Sequence, residues 1–214
     1  MREQPILIEL HTLPSIAYFS ALAHTSEVWL EAHEHYQKQT YRNRYYINTS
    51  HGRLRLTVPV DVPSGKKIGI REVRVEAGAR WRNQHWRSIA SAYRKAPFFE
   101  HYADELHSIL FHPNTHFLWE LNRALLSFCL TQLHLPVRVS ETVAYNHRPD
   151  AAILDVRNLF NEENQVGDRF YPSQPYYQVF GSAFVTNCSI IDLLFCVGPQ
   201  SIHHVILSRK PTNK

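Results

Sequence analysis

The sequence predicts an α/β domain, with a mixed α+β arrangement as the alternative. Three observations carry that prediction. Short apolar runs near the N-terminus, Ile6–Leu10 and Glu27–Ala32, have strand length and character. Longer segments in the middle repeat their apolar residues at helical spacing. A last apolar segment, Ile190–Val197, again has helical period and stops at Gly198-Pro199. The expected order is N-terminal strands with a hairpin, a central helical block and a C-terminal helix. One domain over 1–208 and a disordered tail over 209–214 account for the length of 214 residues.

Composition narrows the class. Hydrophobic residues make up 44% of the chain, enough to build a core without disulfide staples. The three cysteines, Cys129, Cys188 and Cys196, form no C-x-x-C pair, and two of them sit in apolar runs, which predicts free thiols and a reducing, cytoplasmic setting. Met1–Leu10 carries Glu3 and Glu9, unlike a signal or transit peptide, and no apolar run approaches the roughly 20 residues of a membrane span. Lys plus Arg exceeds Asp plus Glu by 23 to 19, with 14 histidines besides. That balance suits an anionic small molecule, such as a sugar nucleotide, and makes nucleic acid the weaker expectation as a partner. Nothing in the sequence names a cofactor.

Each element has a local reason. Pro14 ends the first strand and opens a helix over Ser15–His24, with Ile16, Phe19 and Ala23 on one face. Tyr45–Thr49 and Arg53–Val60 flank the polar His51-Gly52 turn and predict a hairpin. In its second strand Leu54, Leu56 and Val58 face one way and Arg53, Arg55 and Thr57 the other, so one face is buried and one is wet or ligand-facing. Pro63–Lys67 reads as a turn, and Ile70, Val73 and Val75 as a further strand. Trp86, Ile89, Ala90 and Tyr93 form a helical stripe that Ala96-Pro97 ends. Phe98–Phe111 and Thr115–Leu133 read as two more helices, and Val137–Val143 as a strand. Residues 144–187 are polar, Pro-containing and without sustained period. In the last helix Asp192 interrupts the apolar pattern and is expected at the rim or paired with a basic group.

Three stretches could carry chemistry. His11 closes a buried strand just before a helix, where open α/β sheets place ligands. Its unperturbed pKa of about 6.5 makes it the general-base candidate; capping a strand end is the plainer reading. Between two strands lies His33–Arg44, which is polar, aromatic and basic. Within it Lys38, Arg42 and Arg44 are expected to hold an anion on one concave surface with His11 or Tyr18. Tyr36, Gln37 and Asn43 would orient an acceptor, the alternative being an exposed loop. His33 and His35 lack a third metal ligand, so no metal site is expected. The helix Trp81–Lys95 sets Arg82, Arg87, Arg94 and Lys95 around Trp86 and Tyr93; core aromatics with a partly functional basic face is the favoured reading. No P-loop and no G-x-S-x-G elbow occurs.

At these residues the chain resembles the WbqC-like family. The resemblance runs through the opening strand to Pro14 and Tyr18-Phe19, then Tyr36-Gln37-Lys38 and Arg42-Asn43-Arg44, Leu56–Val60 and Ala92–Phe99, closing with Tyr177-Gln178, Ser189–Phe195 and Gly198. Two departures stand out. His11-Thr12-Leu13-Pro14 replaces a Gln-Pro followed by Tyr-x-Pro, and Ala32-His33-Glu34 stands where an acidic pair is usual, so no role built on that pair is carried over. The resemblance implies a place in bacterial surface polysaccharide synthesis of the O-antigen kind. The leading reading is an acyl- or aminoacyl-type transferase acting on a phosphate-bearing sugar or activated metabolite. A non-catalytic anion-binding or scaffold protein and an RNA-binding module are the alternatives.

Overall fold

A computed structural model describes residues 4–63, 65–161, 174–181 and 183–208. Its centre is a parallel sheet of four short strands in the order β7-β2-β1-β8. The strands are β1 (Ile6–Ile8), β2 (Glu27–Leu30), β7 (Arg138–Glu141) and β8 (Leu154–Asp155). Ile8 pairs with Leu30, Leu30 with Glu141 and Leu7 with Asp155, so all four carboxyl ends lie along one edge. The helix α1 (Ile16–Leu22) follows β1, and Ser15 caps it by accepting from Tyr18 N.

The hairpin forms as its alternation predicts, with β3 (Arg44–Thr49) antiparallel to β4 (Gly52–Thr57). Strand β4 stops before the expected Val60, because Pro59 has no N–H to donate to a ladder. Val60–Asp61 instead makes β5, paired with β6 (Arg74–Val75). The expected strand over Ile70–Val75 is therefore mostly a 3-10 turn, Ile70–Glu72, that buries Ile70.

Three helices form the central block: α2 (Ala79–Tyr93), α3 (Phe99–Leu110) and α4 (Leu118–Gln132). The last begins later than its sequence pattern suggests, where Glu120 Oε2 accepts from His116 N and Phe117 N (3.3 and 3.2 Å). The C-terminal α5 (Ile190–Val197) contacts α1, α2, α3, α4 and β3, and α6 (Ser201–Leu207) follows after a 3-10 turn. Ile190–Leu207 is the described stretch long and apolar enough to cross a membrane. Here it is a broken core element, interrupted at Gly198–Gln200, with every residue from Ile190 to Cys196 buried.

Asp192 corrects an expectation. It is not at a rim, and among the described residues no basic group pairs with it. It is fully buried and accepts from the Tyr93 hydroxyl (2.7 Å), Gln178 Nε2 (2.8 Å) and the Tyr176 hydroxyl. Burial raises its pKa, and these three donors oppose the rise. One contiguous core reaches from Ile6 to Val205, and the three cysteines are separate buried thiols within the fold. Residues 209–214, expected as a tail, lie outside the described residues.

Candidate functional site

The carboxyl edge of a parallel sheet collects whatever polar residues follow each strand, because the backbone there leaves the ladder and exposes a crevice. Glu9 and His11 follow β1, Glu31 and Glu34 follow β2, Thr142 follows β7, and Arg157 and Asn158 follow β8. Glu9 and Glu31 are fully buried and Glu34 is 4% exposed. Buried carboxylates require partners, and each has them.

A hydrogen-bonded chain links these groups. His11 Nε2 lies 2.9 Å from Glu9 Oε1, and Glu9 Oε2 accepts from Asn158 N at 2.9 Å. Asn158 Oδ1 accepts from Arg42 Nη2 at 2.8 Å, and Arg42 closes a two-pronged pair on Glu34, with Nε to Oε1 at 2.7 Å. In parallel, Arg157 Nη1 reaches Glu31 Oε2 at 2.7 Å, while its other nitrogens hold Asp155 and the Asn146 carbonyl. Arg157 thus ties the two-residue β8 to the end of β2. Thr142 Oγ1 donates to Glu31 Oε1 at 2.8 Å and secures β7 to the same carboxylate.

The electrostatics of the Glu9–His11 pair follow from burial. Loss of water pushes the His11 pKa down, Glu9 opposes and Arg42 reinforces, and the imidazole ends below its ordinary value. For Glu9 burial acts upward, but the His11 hydrogen bond and charge, Arg42 and the Asn158 N–H outweigh it and hold the carboxyl below its usual range. The pair is therefore a carboxylate and a neutral imidazole near pH 7. With Nε2 bearing the proton toward Glu9, Nδ1 carries the free lone pair, and it is buried without a partner among the described residues.

Above the His11 ring lies Tyr41, with centroids 5.5 Å apart; Tyr18 packs at 5.1 Å. Tyr41 also lines an open cleft of about 440 Å³ with Lys38, Gln39, Thr40, Arg44, Tyr46, Arg55 and Asn161. The hairpin register builds this cleft, because Arg44 faces Thr57 and Tyr46 faces Arg55 on one side of the ladder. Arg53 stacks 3.8 Å above the Tyr46 ring and donates to the Tyr41 hydroxyl at 3.3 Å. Arg44 Nε is buried and has no partner among the described residues. Three cations, one with an unused donor, thus line a polar hollow one aromatic ring away from the imidazole.

The sequence model of the WbqC-like protein family matches residues 11–169, which include His11, the acids after β2, the hairpin and Asn158. This chain belongs to the WbqC-like protein family. The WbqC-like chain is also similar to the uncharacterized protein Rv1507c of Mycobacterium tuberculosis (strain ATCC 25618 / H37Rv), at 27% identity over 219 residues, covering 91% of this chain and 94% of that relative. No solved structure matches the chain.

The residues singled out from sequence divide into two groups. Lys38 and Arg44 meet in the cleft, whereas Arg42 is 1% exposed and turns inward onto Glu34 and Asn158. The expected single cluster of three cations is thus split, because Glu34 offers Arg42 a paired environment that solvent cannot match. Tyr18 is core, and its hydroxyl donates to the Glu9 carbonyl at 3.2 Å. Asn43 donates to the Val58 carbonyl at 2.9 Å and leaves Oδ1 buried without a partner among the described residues. Tyr36 is half-buried, its pKa pushed up to about 12 by burial against the pull of Arg44 and Arg42; Gln37 is exposed. His33 and His35 are both exposed, and among the described residues no three His, Cys, Asp or Glu side chains are placed to hold a metal ion.

Sequence reasoning gave no site role to Glu9, Glu31, Glu34, Arg157 or Asn158, and it reached the cleft residues Arg55 and Tyr41 only as members of a wet or ligand-facing strand face and of the basic, aromatic segment. The two acids that flank Ala32-His33 are both at the site. A usable signal existed for Glu9 and Glu31, since each directly follows an apolar strand. None existed for Arg157 and Asn158, because β8 has only two residues.

Proposed function

We propose that this WbqC-like protein is an acyl- or aminoacyl-type transferase acting on a phosphate-bearing sugar or related activated metabolite. The observation that carries the reading is the Glu9–His11 pair, with its unpartnered Nδ1, beneath a cleft lined by Lys38, Arg44 and Arg55. In this scheme the three cations hold the phosphate, and Arg44 supplies its free Nε donor. An acceptor hydroxyl or amine attacks the donor's acyl carbon and gives its proton to His11 Nδ1; the adduct then collapses, the bond to the donor's thiol or hydroxyl breaks, and that leaving group takes the proton from the imidazolium. Glu9 holds the ring tautomer and stabilises the imidazolium that forms. Tyr41 must swing aside for an acceptor to reach Nδ1. The family resemblance supports a setting in surface polysaccharide synthesis.

A second reading, a non-catalytic anion-binding protein, draws on the burial of His11, which is 1% exposed. One experiment separates the two. Calorimetry with a nucleoside-diphosphate sugar measures binding, and mass spectrometry of the same sugar mixed with a panel of thioester and aminoacyl donors measures transfer. The transferase reading expects R44A/R55A to lose binding, and H11Q to keep binding and lose transfer. Binding with no transfer from any donor leaves the second reading standing. Binding that survives R44A/R55A rejects both.

A further inference from the structure

We propose that the exposed face of α2 is a binding surface for single-stranded nucleic acid, with the cleft between α2 and Val179–Phe180 receiving a base. The helix Ala79–Tyr93 contains three arginines, Arg80, Arg82 and Arg87, and no acidic residue. Arg80, Arg87 and Arg94 recur every seven residues. At 3.6 residues per turn that spacing returns to nearly the same side of the helix, so the three heads form a row with roots about 10 Å apart. Lys95 and Ser91 flank the end of the row, and all five of these residues are exposed.

The row is uncompensated. Among the described residues none of Arg80, Arg87, Arg94 and Lys95 is in a salt bridge. Arg82 shows the contrast on the same helix: it donates to the Leu110 and Thr115 carbonyls and stacks on Trp81, so it serves the fold. Trp81, His85, Ile89, Ala92 and Tyr93 on the opposite side are buried, which fixes the basic side outward.

An aromatic cleft opens beside the row. It has a volume of about 530 Å³, and its walls include Trp86, Arg87, Arg94, Lys95 and Phe180. Trp86 is braced by His107 (4.8 Å) and Phe99 (6.1 Å), and the Phe180 carbonyl accepts from Asn48 Nδ2 at 3.1 Å. A row of cations with an adjacent aromatic wall matches a polymer that carries one phosphate and one flat base per unit. An anionic membrane fits less well. Between the arginines the face presents the polar Asn83, Gln84 and Ser91, and its aromatic side chains, Trp86 and Phe180, line a cleft. This surface is separate from the Lys38–Arg44–Arg55 cleft and does not depend on the transferase reading.

The test is fluorescence anisotropy on the full chain with a labelled mixed-sequence 12-nucleotide RNA, the same sequence as DNA, and phosphatidylglycerol vesicles. If all four cations engage phosphates, affinity for a single strand should fall about 50-fold between 50 and 200 mM salt, from a slope of roughly 0.7 per phosphate. R87E/R94E should abolish most of the binding, and F180A should weaken it roughly tenfold through lost stacking. R87Q/R94Q should show the same direction if charge reversal disturbs folding, and R44A/R55A should bind normally. A preference for RNA over DNA would add a 2′-hydroxyl contact to the same surface. No binding at 50 mM salt, binding indifferent to R87E/R94E and R87Q/R94Q, or vesicle binding without strand binding would each overturn the proposal.

Discussion

Replacing Arg42 with Met asks whether that arginine builds the site or touches the ligand. The side chain is 2% exposed and its partner Glu34 is 5% exposed. Removing the guanidinium leaves the Glu34 carboxylate buried without its bidentate partner and strips Asn158 Oδ1 of its donor. Breaking one side of a buried pair costs about 3–5 kcal/mol. For a chain of this size each kcal/mol shifts the melting temperature by roughly 2–4 °C, so R42M should melt roughly 6–20 °C lower. The double variant E34L/R42M removes both charges and should recover much of that loss, which gives a large coupling in a double-mutant cycle. Calorimetric melting at pH 7 measures all four proteins. Anion binding in the cleft, measured well below the transition, should be retained by R42M. A drop of less than about 2 °C with loss of anion binding would refute the structural role and return Arg42 to the ligand.

Three further outcomes are expected. His85 is held neutral between the Tyr45 hydroxyl (3.0 Å) and the Thr57 carbonyl (3.1 Å), and burial moves its pKa down to about 4 despite that carbonyl. The unfolded chain takes up this proton near pH 6.5 and the folded chain only near 4. The stability is therefore fully present above pH 6.5 and is lost as pH falls toward 4, by about 2–3 kcal/mol; urea titrations across that range should show the slope, and H85Q should flatten it. Gly198 has φ 65°, and an added Cβ would sit 2.5 Å from the Phe98 ring, so G198A should lose at least about 2 kcal/mol in denaturant unfolding. D192A leaves the donors of Tyr93, Tyr176 and Gln178 without their acceptor and should cost several times more than D192N, at about 1–3 kcal/mol per stranded group; equal losses would mean that the polar network contributes little.

Much of the fold could be read along the chain because its elements are set by local pattern. The Trp86–Tyr93 stripe, the alternation on either side of His51-Gly52 and the apolar run ending at Gly198 each became the expected helix, hairpin and helix. Periodicity acts over a few residues, and these segments are long enough to display it. The misses are short or depend on a partner. Leu154–Asp155 is a strand only because Ile6-Leu7 lies beside it, and the expected Ile70–Val75 strand is cut to Arg74–Val75, where Val60–Asp61 pairs with it.

The site divides in the same way. Sequence by itself placed His11 at the end of a buried strand and Lys38 and Arg44 in a basic segment beside a hairpin, and its residue order matched the WbqC-like family. Only the tertiary structure decided that Arg42 points inward while Arg44, two residues on, points into a cleft. Only the tertiary structure brought together Glu9, Glu34 and Asn158, which are distant along the chain. The physical reason is that a charged side chain goes where its counter-charge and hydrogen bonds are, and those partners come from strands β1, β2 and β8, which meet only when the sheet is formed.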